Sequence, residues 1–243
     1  MTTTLKRSKD RKVANAVNAA GKVATIANTF GLPSGKAYSC PGATGVCETI
    51  CYAGKLEVVY KGVRDVLLHN FEILSSLDVD GMVAELSGMV EDFKRDSVKR
   101  GATPLFRIHW DGDFFSDDYA EAWRVVVARH ADVRFWVYTR VVSAAVMLHK
   151  ASLPNLSLYF SADEENAPVA SMLRRTYGIR MAWLAENFQV GQAAVKALTG
   201  KPGAKCPENA KRLALISPEG SACVRCGLCV YGKADVVFSR SKK

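Results

Sequence analysis

Seven cysteines fall into two groups separated by a long cysteine-free stretch: Cys40, Cys47 and Cys51, then Cys206, Cys223, Cys226 and Cys229. Thiolates ligate zinc and iron–sulfur clusters, so the spacing within each group decides the chemistry on offer. Cys223, Cys226 and Cys229 form C-x2-C-x2-C, and Cys206 lies upstream, followed by Pro207. Four thiolates suit a tetrahedral zinc and a 4Fe-4S cluster alike. The unbroken x2 run and the remote cysteine before proline match the ferredoxin pattern, whereas zinc sites more often pair two C-x2-C knuckles. A cluster is therefore the expectation and zinc the alternative. Cys40, Cys47 and Cys51 form C-x6-C-x3-C. Three ligands fill three irons of a cubane and leave the fourth open to a small ligand, as in radical S-adenosylmethionine (SAM) enzymes. A zinc site completed by histidine, unligated thiols, or one composite site built from both groups are the alternatives. A disulfide framework is not expected, because the count is odd, the chain is not small, and its start (MTTTLKRSKDRK) has no apolar leader core.

The elements that must position these groups are legible as an alternation. Leu105–Trp110, Val133–Thr139, Leu156–Ser161 and Ile179–Ala185 read as strands, each followed by a helical stretch: Asp117–His130 with Ser116 as N-cap, Ser143–Lys150, Val169–Tyr177 and Gln192–Leu198. Lys22–Phe30 reads as a first strand and Arg212–Ile216 as a last one. Residues 1–20 read as a basic arm running into an Ala-rich helical stretch, Gly31–Ala53 as a loop, and Lys61–Ser76 and Met82–Lys99 as helices. Strand–helix alternation at intervals of ~25 residues indicates a parallel α/β sheet. Six strands are too few for a closed eight-stranded barrel; a partial (open) TIM-like barrel is expected, and an open doubly wound sheet also fits the count. The organisation is a basic arm at 1–20, the barrel at 21–202 with the Cys loop 40–51, and a cysteine-rich metal-binding segment of the same domain at 203–243.

Parallel α/β folds put function at the carboxyl ends of strands. That rule nominates His109, Asp111, Gly112, Asp113, Tyr138, Arg140, Asp163 and Glu186. Asp111 and Asp113 are the candidate catalytic carboxylates, and the others are candidate cofactor contacts. His69, His130 and His149 read as surface or packing residues, and Trp110, Trp123, Trp136 and Trp183 as core.

The 243 residues are 49% hydrophobic and carry a net charge of +9, which excludes disorder or a coiled coil over the whole chain. No apolar run approaches the ~18–20 residues of a membrane span, so no membrane partner is expected. The basic balance, concentrated at Lys6–Lys12 and at Arg240, Lys242 and Lys243, favours a nucleic acid or nucleotide partner.

CPGATGVCETICYA (residues 40–53), RIHWDGDFFSDDYAEAW (107–123), VRFWVYTR (133–140) and LPNLSLYFSADEEN (153–166) resemble the phage "gene product 88" family, known chiefly from mycobacteriophages. The resemblance runs over roughly residues 20–230. It implies a virus-encoded protein in the cytoplasm of an infected bacterium, and a cysteine loop similar to radical-SAM-like phage proteins. Cys40, Cys47 and Cys51 would hold the open cluster, with Asp111, Gly112 and Asp113 beside the cofactor. The chain has no Gly-Gly-Glu segment for the methionine amino group, so Asp111 or Asp113 would take that role. The expectation is thus an iron–sulfur, radical-SAM-like enzyme acting on nucleic acid or a nucleotide. A transglycosylase-like base-exchange enzyme, with Asp111 or Asp113 as nucleophile and a structural zinc on the C-terminal cysteines, is the second reading. A non-catalytic, metal-stabilised module that binds host protein or nucleic acid is the third.

Overall fold

The computed structural model describes residues 4–17 and 20–241. Parts of the basic arm (1–3, 18, 19), and Lys242 and Lys243, lie outside the described residues. In chain order the elements are β1 (Asn15–Val17), β2 (Val23–Thr25), α1 (Gly45–Ile50), α2 (Tyr52–Val59), α3 (Lys61–Ser75), α4 (Val79–Arg100), β3 (Leu105–Ile108), α5 (Asp117–Arg129), β4 (Arg134–Thr139), α6 (Val142–Lys150), β5 (Leu156–Ala162), α7 (Ala167–Tyr177), β6 (Arg180–Ala185), α8 (Phe188–Thr199), β7 (Ala204–Lys205), β8 (Ile216–Ser217), β9 (Gly220–Ser221), α9 (Ala222–Cys226) and β10 (Val236–Ser239).

Six strands form one parallel sheet in the order β3-β4-β5-β6-β10-β7. The register splits its residues into two faces, because strand side chains alternate. Phe106, Ile108, Phe135, Val137, Phe160, Met181, Trp183 and Val237 share one face and pack against the helices. Trp123 of α5 sits there with its ring 6.2 Å from Phe106 and 6.3 Å from Phe135, fully buried. Truncating such an anchor costs ~3–5 kcal/mol. Arg107, Trp136, Tyr138, Ser157, Tyr159, Ala182 and Val236 share the other face. Among the described residues that side is covered by the basic arm and by the Cys223–Val230 segment, which includes the end of the short α9.

Local signals set the helix ends. Ser116 accepts from the Tyr119 N–H at 3.1 Å and starts α5. Asp78 does the same for α4 through Gly81, and Gly101 ends it in the left-handed conformation. The buried stripe of α4 is Met82, Leu86, Met89, Val90 and Phe93, as its 3.6-residue period requires. Among the described residues no helix is long and apolar enough to cross a membrane.

Four expectations need correction. The Ala-rich stretch is not helical: Asn15–Val17 pairs antiparallel with Val23–Thr25. The rest of Lys22–Phe30 joins the sheet only as a single parallel bridge from Thr29 to Arg107. Arg212–Ile216 is not a sheet strand; the sheet closes with β7 and β10 instead, and Ile216 belongs to the small β8–β9 ribbon. Gly31–Ala53, expected as loop, holds α1 and the start of α2. Thr44 caps α1 locally, and a further contact comes from the Glu165 carboxylate, 119–120 residues away, which no local pattern announces.

Candidate metal centres and strand-end site

The Cys loop is laid directly across the carboxyl ends of β3, β4 and β5. The Leu32 N–H donates to the Asp111 carbonyl at 3.1 Å, and the Asp113 N–H to Ser39 Oγ at 3.3 Å. The approach is close enough to need glycine. Gly112 has φ +81, and a Cβ there would lie 2.5 Å from Ser39 Oγ. At Gly42 a Cβ would meet the Arg140 carbonyl oxygen at 2.6 Å.

Thr44 starts α1 by accepting from the Cys47 N–H and donates its hydroxyl to Asp163 Oδ2 at 2.6 Å. Arg140 donates to the same carboxylate oxygen at 2.8 Å, with both side chains buried. The Glu165 carboxylate accepts from the N–H groups of Gly45 and Val46 at 2.8 and 3.0 Å. Strand-end residues of β4 and β5 thereby fix the helix that carries Cys47 and leads to Cys51.

The two carboxylates after β3 differ sharply. Asp113 accepts from Thr139 Oγ1 at 2.6 Å, the Arg140 N–H at 2.7 Å and the Phe114 N–H at 2.8 Å. Burial still pushes it up to about 6. Asp111 accepts from the Gly112 N–H at 2.9 Å, and its buried Oδ2, with no donor among the described residues, lies within hydrogen-bonding reach of the Glu57 carboxylate. Burial, then the neighbouring Glu57 carboxylate, pushes Asp111 up to about 8. Glu57 of α2 is held by the Ser34 N–H at 2.9 Å. His109 adopts φ +57, a strained conformation for a residue with a Cβ. Its Nε2 pairs with the Tyr119 hydroxyl at 2.8 Å, its Nδ1 has no partner, and burial lowers it to about 3.

Cys40, Cys47 and Cys51 surround these groups. Asp111 and Asp113 press on Cys40, Asp111 and Glu57 on Cys51, and Arg140 and Asp163 act on Cys47, which also couples to Cys51. Burial is the leading cause of a raised thiol pKa in all three, reaching about 12 at Cys40. Yet each side chain stays partly accessible. Thiols that are deep but not covered line a recess rather than a packed core. Only a bound cation would hold them as thiolates at neutral pH.

The other four cysteines gather on the second face of the sheet. Cys229 couples electrostatically to Cys206, Cys226 and Cys223 and lies within hydrogen-bonding reach of the Tyr138 hydroxyl. Burial raises Cys206, Cys223 and Cys229, the last to about 12. The Cys206 N–H joins the sheet through the Val237 carbonyl at 3.0 Å, and the Cys223 N–H donates to the Lys12 carbonyl at 2.9 Å. Arg107 completes the surroundings, paired with Asp10 at 2.6 Å and lying 5.4 Å from the Tyr138 ring.

Among the described residues, no three of His, Cys, Asp and Glu stand close enough to grip one metal ion. A cubane spreads its thiolates wider, one per corner, and the donor sets of both groups fit that demand in number and type.

The nominated residues therefore divide. Asp111, Gly112, Asp113, Arg140 and Asp163 meet at the strand ends beneath the Cys loop, whereas the His109 ring packs against Phe114 and Tyr119. Tyr138 points to the opposite face and belongs with Cys229. Glu186 has an exposed side chain, and its carbonyl anchors the chain after β10 by accepting from Ser239 and Ser241. Glu57 and Arg107 were not nominated. Glu57 lies on α2, inside and beyond what reads as a loop, and Arg107 sits mid-strand, where the strand-end rule does not look.

A family model described as Gene product 88 matches residues 3–232. The "Gene 88 protein" of Mycobacterium phage L5 is 52% identical over 242 residues, covering 98% of this chain and 99% of its own. That of Mycobacterium phage D29 is 51% identical over 243 residues, with the same coverage. No solved structure matches.

Proposed function

The chain belongs to the gene product 88 family, and from that premise we propose that it is an iron–sulfur enzyme of radical-SAM-like type, acting on nucleic acid or a nucleotide. One observation carries the reading. Three partly accessible thiols of one loop overhang the carboxyl ends of a parallel sheet, beside a buried carboxyl paired with the Glu57 carboxylate. We read the sheet as the wall of a partial barrel and the Cys223–Val230 side as its interior.

In this reading Cys40, Cys47 and Cys51 hold a 4Fe-4S cluster, and Cys206, Cys223, Cys226 and Cys229 hold a second, closed centre, either a cluster or zinc. An open cluster, when bound, supplies an electron and a coordination position for the amino and carboxylate groups of SAM. The chain's own residues do the rest. The Asp111 carboxyl, pushed up to about 8 by burial and by Glu57, holds a proton shared with the Glu57 carboxylate. Arg140, fixed by Asp163 and by the Asp113 contact to its N–H, presents its remaining guanidinium donors near Cys47. Asp113 is a positioning residue, since three donors already claim it. Base exchange fits less well, because its nucleophile must be a free carboxylate: Asp113 is engaged and Asp111 is neutral.

The test is iron, sulfide and zinc analysis with an absorption spectrum on protein purified without air, followed by a SAM cleavage assay. About eight irons per chain with broad visible absorption is the result for two cubanes, and about four irons with one zinc is that for a closed zinc centre. Zinc alone, even after reconstitution with iron and sulfide, overturns the reading.

A further inference from the structure

We propose that the basic arm and the cysteine-bearing C-terminal segment together form a docking surface for single-stranded nucleic acid. The inference takes its substrate class from the reading above and narrows it from nucleotide to polymer.

Charge locates the surface. Residues 6–12 and 196–233 hold twelve Lys and Arg against three Asp and Glu, while the rest of the chain holds twenty-one of each. The whole excess of +9 therefore resides in two segments far apart in sequence, and the rest of the chain is neutral in sum. The fold joins them. Ser221 Oγ donates to the Arg11 carbonyl at 2.8 Å, the Asn15 N–H donates to Ser221 Oγ at 3.0 Å, and Lys12 pairs with Glu208 at 3.0 Å. Two of the three acids of these segments lie on the C-terminal one, and both are taken up there, Glu208 by Lys12 and Glu219 by Arg225. Lys9, Arg11, Lys201 and Arg212 are exposed, with no acidic partner among the described residues.

An aromatic platform stands within this charge. Tyr231 is 49% exposed, with Lys233 at 5.5 Å and Arg134 at 5.7 Å from its ring centre. Exposed rings among cations are how proteins stack unpaired bases while holding their phosphates. A second copy of the chain would bring like charge against like. A bilayer would need apolar groups to insert, and over 201–241 the large exposed apolar side chains are Ile216 and Tyr231.

The experiment is fluorescence anisotropy of the full chain with a labelled oligothymidylate of about 20 nucleotides. Binding is expected to weaken on the order of 50-fold from about 50 to about 200 mM salt, the change for four neutralised phosphates on a single strand. Lys9→Glu with Arg11→Glu, and Lys201→Glu with Arg212→Glu, are each expected to weaken binding at least ~10-fold. Lys99→Glu with Arg100→Glu, at the end of α4, is expected to change nothing. Tyr231→Ala loses ~10-fold and Tyr231→Phe keeps the affinity, as stacking requires. Salt-independent binding, no binding, equal losses from the α4 control, or tighter binding to phosphatidylserine vesicles than to the oligonucleotide overturns the proposal. Iron and sulfide measured on the same sample report on the cluster reading separately.

Discussion

The two cysteine groups use the same side chain in opposite settings. Cys40, Cys47 and Cys51 sit at the edge of the sheet among carboxylates and one arginine, on a loop held down by side chains of β4 and β5 and the turns after them. Cys206, Cys223, Cys226 and Cys229 sit against the sheet's face, among Trp136, Tyr159, Val230 and Val236, and tie the N-terminal arm to the C-terminal segment. Three thiols beside ionisable groups leave room for a fourth, exchangeable ligand. Four thiols against the sheet face, with Arg107, Asp10 and Lys12 beside them, would complete a centre and close it. On the proposed reading one group would serve chemistry and the other folding, and substitutions should separate them.

The largest effect is expected in the second group. A closed thiolate centre binds its metal with ~10–16 kcal/mol, comparable to the whole stability of a domain. Cys229→Ser should therefore release the metal and unfold the arm and C-terminal segment, read as a collapsed thermal melt together with metal analysis. A melt unchanged from the parent protein would remove the folding role. Next comes the clamp on the first group. Arg140→Met leaves Asp163 buried without its cation, and breaking such a pair costs about 3–5 kcal/mol. Denaturant melts should show that loss, with a parallel fall in iron held by the Cys loop. Cys40→Ala should then shift stability by less than ~1 kcal/mol, since its side chain is only partly covered. The same variant should lose SAM cleavage by at least ~100-fold if the open centre is the working one.

How far the sequence foretold this contrast depends on the distance over which each element is specified. β3 through β6 and α5 through α8 were legible, because the apolar residues that build them repeat locally and Ser116 caps within three residues. Asp111, Asp113, Arg140 and Asp163 followed from the strand-end rule alone. β10 was missed because its four residues, Val236–Ser239, gain their meaning by inserting between β6 and β7. The Ala-rich arm was misread because its strand is made by a partner at 23–25 and by Ser221 across the molecule. Tyr138 stands apart from the other strand-end residues because one residue of strand register decides which face a side chain joins.

Asp111 offers a pH test of the first group in metal-free protein. Its carboxyl titrates near ~3.9 when unfolded and near about 8 when folded. Between those values the folded state keeps a proton that the unfolded state has lost, so stability falls as pH rises and levels off above about 8. Asp111→Asn is neutral throughout. Its melting temperature should match the parent's near pH 4 and exceed it progressively up to pH 8. A constant difference across that range would mean that Asp111 does not carry the buried proton.

The smallest expected effect sharpens the second group. Tyr138 reaches Cys229 from the sheet face, and its ring is backed by Arg107 and by Tyr159 at 5.6 Å. Tyr138→Phe keeps that packing and removes one hydroxyl. If the quartet is closed and structural, the loss is one hydrogen bond to a thiolate, ~1 kcal/mol, and the metal content stays that of the parent. The same hydroxyl also favours the ionised thiol, so a chelator should strip metal from Tyr138→Phe faster than from the parent at equal pH. The Cys40 group lies on the far side of the strand ends from this hydroxyl, and its iron should leave at the parental rate. Equal acceleration at both groups would mean that they are one composite centre, and the contrast between them would fall.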